Sequence, residues 1–120
     1  MALDYTVTLL ADHKGIAAPK VHGDEYYVDA IIDVTSAVAA GSVIPASALG
    51  LSTISAVLIT GSDNPNNRTN DIAVEVECSA TGGYESGTSF ALMFTTVASG
   101  TTISDDANGG STRVRVYGLL

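Results

Sequence analysis

Apolar residues recur at every second position through much of this chain, the period of a β-strand with one buried face. In EYYVDAIIDV (25–34), Tyr26, Val28, Ala30, Ile32 and Val34 share one face, and Glu25, Tyr27, Asp29, Ile31 and Asp33 the other. DIAVEVEC (71–78) sets Ile72, Val74, Val76 and Cys78 against Asp71, Glu75 and Glu77. TRVRVYG (112–118) sets Val114 and Val116 against Arg113, Arg115 and Tyr117, and DYTVTLLA (4–11) sets Tyr5, Val7 and Leu9 against Thr6, Thr8 and Leu10. Two stretches are apolar on both faces. TISAVLIT (53–60) has Ile54, Ala56 and Leu58 opposite Val57 and Ile59, and SFALMFTTV (89–97) has Phe90, Leu92 and Phe94 opposite Ala91, Met93 and Val97. Such strands lie centrally in a sandwich or under a neighbouring subunit, so Val57 and Ile59 are candidates for a subunit interface.

Turn signals fall between these stretches: GSDNPNNRTN (61–70), TGGYESG (81–87) and DDANGGS (105–111). Six strands follow, with a seventh around 35–44. No segment keeps helical spacing. In PASALG (45–50), Pro45 opens and Gly50 closes a single helical or 3₁₀ turn near 46–49. The expected architecture is all-β, one β-sandwich or jelly-roll-like domain spanning 1–120.

The 29 residues from Val34 to Ser62 carry no charge. Gly41, Pro45 and Gly50 interrupt them, nine are Ser or Thr, and Asp33 and Asp63 flank them in place of basic anchors. That pattern argues against a membrane helix and for core plus interface.

Charge narrows the partners. Thirteen acidic residues against five basic ones give a net charge of −8, which disfavours nucleic acid and anionic membrane. Both lysines and both histidines fall between 13 and 22. His13, Lys14, Lys20 and His22 thus form a candidate loop for docking to an acidic protein surface. Two histidines nine apart with no third ligand nearby do not make a zinc site. Asp105, Asp106 and Asn108 have oxygen ligands suited to calcium, but without the length or terminal Glu of an EF-hand a turn is the better reading. Arg113 and Arg115 match Glu75 and Glu77 in spacing and would pair across adjacent strands. Asp29 and Asp33, exposed on one strand face, serve solubility and block edge pairing rather than acid catalysis.

No sequence motif for a nucleophile, phosphate loop or zinc protease is present, so no catalytic residue and no cofactor is expected. Cys78, single and on an apolar face, reads as a buried inert thiol. The start, MALDYTVTLLADHKG, lacks a basic stretch before an apolar one and is not expected to be a secretion signal. The sequon NRT (67–69) therefore carries no weight.

The stretch VIPASALGLSTISAVLITGSDNP (43–65) resembles small virion proteins of tailed bacteriophages, and the rest of the chain is similar to them in its acidic, Ala-, Ser-, Thr- and Gly-rich composition. The resemblance implies a head decoration, or cement, protein: a β-sandwich or jelly roll that binds the major capsid protein on the capsid exterior as a dimer or trimer, assembled in the host cytoplasm. It transfers no catalytic residue. Other virion parts, a tail or fibre protein, are the alternative, as is a carbohydrate-binding module, which the absence of Trp disfavours.

Overall fold

The computed structural model describes residues 4–38, 41–63, 72–78, 87–96, 100–103 and 107–120. They form strands β1 (Asp4–Leu9), β2 (Lys20–His22), β3 (Glu25–Ser36), β4 (Ser42–Pro45), β5 (Thr53–Asp63), β6 (Ile72–Cys78), β7 (Ser89–Thr96), β8 (Thr101–Thr102) and β9 (Gly110–Leu119), with a 3₁₀ turn at Ala46–Leu49. The larger sheet runs β1-β3-β9-β5, and β2 pairs with β3 beyond the end of β1. The smaller runs β4-β7-β6, and β8 pairs with β7. All pairings are antiparallel.

The pairings nest. β3 pairs with β9, β4 with β7, and β5 and β6 lie alongside each other where the sheets meet. A long hairpin rolled over on itself gives this order, the wrapping of a jelly roll, so the expected all-β sandwich class holds. The sheets face each other through the alternating residues of the sequence pattern. Val28, Ala30, Ile32 and Val34 of β3, Val114 and Val116 of β9, and Phe90, Leu92 and Phe94 of β7 are buried. Tyr5, Val7 and Leu9 pack on the margin of this core. Burying a large aliphatic or aromatic side chain stabilises by roughly 1.5–3 kcal/mol, so this alternation fixes which face of each strand turns inward.

The neutral run becomes the end of β3, then β4, the 3₁₀ turn and β5. It gives the core Ile44, Leu49, Leu51 and Ile54. Pro45 stands at the N-cap of the turn, with no N–H to leave unpaired. Gly50 closes it at φ 78°, in the left-handed region, with its N–H bonding the Ser47 carbonyl and the Leu51 N–H the Ala46 carbonyl. No helix among the described residues is long and apolar enough to cross a membrane.

β5 departs from simple alternation. Its register with β9 shifts between Ile54 and Ala56 and again between Ile59 and Gly61. The first shift leaves Ser55 opposite nothing, and the strand changes phase. Ile54 is buried, after which Val57 and Ile59, not Ala56 and Leu58, pack against the core. β9 accommodates the bend at Gly118, where any Cβ would collide with the Thr53 carbonyl oxygen.

Two strand-pairing expectations are corrected. β9 lies between β3 and β5, while β6 belongs to the other sheet, so Arg113 and Arg115 do not face Glu75 and Glu77. β3 is interior, with β1 and β2 on one side and β9 on the other, so Asp29 and Asp33 guard no edge.

Candidate functional site

Turning one face of β3 and β9 inward necessarily sends the alternate residues outward, and register decides which of them meet. Lys20, Tyr27, Tyr117 and Ala56 form one row across the larger sheet, and Asp29, Arg115 and Leu58 the next. Ile31, Arg113 and Gly61 follow, then Asp33, Ser111 and Asp63. Three of the five basic residues of the chain, Lys20, Arg113 and Arg115, therefore stand on this outer face.

Arg115 is its centre. Its Nε and Nη2 donate to Oδ1 and Oδ2 of Asp29, each at 2.8 Å, a two-pronged pair between residues directly opposite in the ladder. The guanidinium carbon lies 4.6 Å from the centroid of the Tyr27 ring. Lys20 Nζ is 6.0 Å from the same centroid, and Tyr117 lies beside Tyr27 at 6.2 Å with the rings tilted by 44°. The Arg115 hydrogen bonds hold the Asp29 carboxyl below its usual pKa, against a smaller opposing effect of burial. The same pairing raises the pKa of Arg115. Below this row, the bulged Ser55 points outward and its Oγ donates to Glu25 Oε2 at 2.6 Å. Above it, Ile31, Gly61, Ser62, Asp63, Ser111 and Arg113 line a shallow, open groove of about 330 Å³.

The loop before β2 is built differently. Asp12 Oδ1 accepts the backbone N–H groups of Lys14 at 2.8 Å and Ile16 at 3.0 Å, and Gly15 N–H bonds the Asp12 carbonyl. These bonds, that of Ile16 first, lower the pKa of Asp12. Lys20 Nζ turns back to the carbonyls of Ile16 and Ala18 at 3.2 and 3.3 Å. Of the four residues expected to dock an acidic partner, His13 and Lys14 are exposed. Lys20 joins the tyrosine–arginine cluster instead, and only the backbone of His22, paired with Glu25, is described.

Val57 and Ile59, expected at a subunit interface, lie on the core side of β5, and the exposed apolar residue of that stretch is Leu58. Asp105 and Asp106 lie outside the described residues. Asn108 Oδ1 accepts the Gly110 N–H at 2.9 Å, the bond of an Asx turn. Among the described residues no three His, Cys, Asp or Glu side chains gather as metal ligands would. The side chain of Cys78 and the sequon at 67–69 also lie outside the description.

The sequence pattern does not predict the cluster around Arg115. Its residues could be placed outward by alternation alone, but their juxtaposition depends on β3 and β9 pairing, and nothing local in the sequence states that partnership. No protein-family model, curated protein or solved structure matches the chain.

Proposed function

We propose that this protein is a decoration protein of a tailed-phage head, which binds the major capsid protein through the outer face of its larger sheet. One observation carries the reading: Tyr27, Asp29, Arg115 and Tyr117 make a cross-strand cluster on two paired strands, with Leu58 exposed beside Arg115 on the adjoining strand. Cementing requires a preformed face that docks non-covalently and loses little side-chain freedom in doing so. Aromatic and arginine side chains held in place by neighbours meet that need, and they are the types that dominate interface energetics. The resemblance of residues 43–65 to small phage virion proteins supplies the kind of partner. Binding at such a face needs no catalytic group and no cofactor.

A sugar-binding role would use the two tyrosines as a stacking platform. Arg115 already occupies a position over the Tyr27 ring, which disfavours that use.

Cryo-electron microscopy of virions that carry this gene tests the proposal. Density for the sandwich is expected on the outside of the head at a fixed copy number per capsomer, with the β3–β9 outer face toward the shell. Tyr117→Ala and Leu58→Asp are each expected to weaken binding to emptied, expanded heads by roughly tenfold or more. Density on the tail or fibres would assign the chain to another virion part, and full binding by both variants would remove this face from the interface.

A further inference from the structure

We infer that the outer edge of β1, which no other described strand pairs, is a self-pairing site, through which two copies of this chain join their larger sheets antiparallel about a two-fold axis. The inference stands on the strand edge and does not depend on the decoration reading.

The sheet margins are unequal. An open edge strand is a template for another chain, and proteins blunt such edges with bulges, proline, charge or cover. β5 carries two register shifts, and Ile54 is also tied by its N–H to the Gly87 carbonyl at 2.7 Å. β4 has four residues and ends in Pro45. β6 presents an exposed Glu75. The register shift of β1 against β3 lies between Asp4 and Tyr5, beside the charge of Asp4, and from Tyr5 to Leu9 the strand has none of these devices among the described residues. It contains no proline, glycine or charge there, its register with β3 is unbroken, and among the described strands it pairs with β3 alone.

The hydrogen-bond phase of the edge is readable. Leu10 N–H donates to the Asp29 carbonyl at 2.8 Å, continuing a ladder in which Leu9 faces Ala30. Bonding residues alternate along an antiparallel strand, so Thr8 and Thr6 also turn their backbone groups toward β3. Tyr5, Val7 and Leu9 therefore turn theirs to the open side. A second copy can bond only these residues to its own Tyr5, Val7 and Leu9, which keeps core-side faces together automatically. Centred on Val7, the register pairs Val7 with Val7 of the second copy, Tyr5 with Leu9, and Thr6 with Thr8. Each of the three bonding pairs closes two N–H···O bonds. Asp4 falls outside the paired stretch. The half-buried side chains of Tyr5, Val7 and Leu9 gain apolar neighbours from the second copy.

Sedimentation velocity of the full chain, from about 1 to 300 µM at near-physiological salt, tests this, since pairing follows mass action. The wild type is expected to pass from single to doubled mass. Val7→Pro removes an edge N–H that β3 does not use, so it should leave the fold intact and weaken pairing by roughly tenfold or more. A charge swap fixes the register independently of that variant. Thr6→Lys with Thr8→Lys sets like charges opposite across the junction and should give monomer. Thr6→Lys with Thr8→Glu sets opposite charges there and should keep the dimer. Both threonines are exposed, so neither double variant threatens the core. A wild type that stays monomeric or sediments as a trimer, a folded Val7→Pro that pairs as well as wild type, or equal pairing by the two charge variants would overturn the inference.

Discussion

The two faces of β3 and β9 are made by alternate residues of the same two strands in the same register, yet they work by different physics. Inward, Val28, Ala30, Ile32, Val34, Val114 and Val116 have no exposure at all. Outward, Asp29 and Arg115 keep 19% and 39% of their side-chain surface in solvent while bonding each other at two points. The inner face gains from dehydration, which is strong and indifferent to direction. The outer face gains from geometry, which is weak in water but specific about partners. Stability should therefore follow the inner face and recognition the outer one.

The sharpest way to break that division is to truncate on each side. Phe90→Ala removes a fully buried ring and should cost about 3–5 kcal/mol in denaturant unfolding. A loss below about 1 kcal/mol would mean that the sheets do not rely on this core.

The inner face has one polar exception. Thr112 is wholly buried and its Oγ1 finds no hydrogen-bond partner among the described residues. Thr112→Val keeps the shape and removes the stranded hydroxyl, so it should stabilise by about 1 kcal/mol in the same assay. Destabilisation would reveal a partner for the hydroxyl.

The smallest effect belongs to the outer pair. A double-mutant cycle with Asp29→Ala and Arg115→Ala should give a coupling of about 0.5–1 kcal/mol at pH 7. Asp29 has its pKa lowered by Arg115 from an ordinary value of 3.8. Its contribution is then fully present above that ordinary value and is lost as pH falls through the lower, folded value. The coupling should hold at about pH 5 and weaken only as the pH is taken below the ordinary carboxylate value, and a coupling that is flat with pH would sink the electrostatic account. Binding should reverse the ranking, with outer-face variants losing most.

The sequence conveyed these two faces unequally. The alternation at 25–34 and 112–118 is long enough to place every side chain inward or outward, and Pro45 with Gly50 marks the 3₁₀ turn by backbone chemistry alone. β2 and β8, of three and two residues, are too short to show any period. In β5 a single unpaired residue, Ser55, shifts the phase, so alternation continued past it sends Val57 and Ile59 to the wrong side. The Arg115 site was hidden for another reason. Its two halves are 86 positions apart, and both arginines had a plausible partner in the wrong sheet. Local pattern gives the face a residue takes, whereas register gives its company.

The position of β9 between β3 and β5 also bears on how the chain is made. Both neighbours leave the ribosome before the strand that joins them. Until it arrives, each carries an unsatisfied edge and an uncovered apolar face, the state most prone to wrong pairings. The larger sheet cannot close during synthesis of its first strands. It closes only after a long loop is drawn together, which makes folding slow relative to a helical chain of this size.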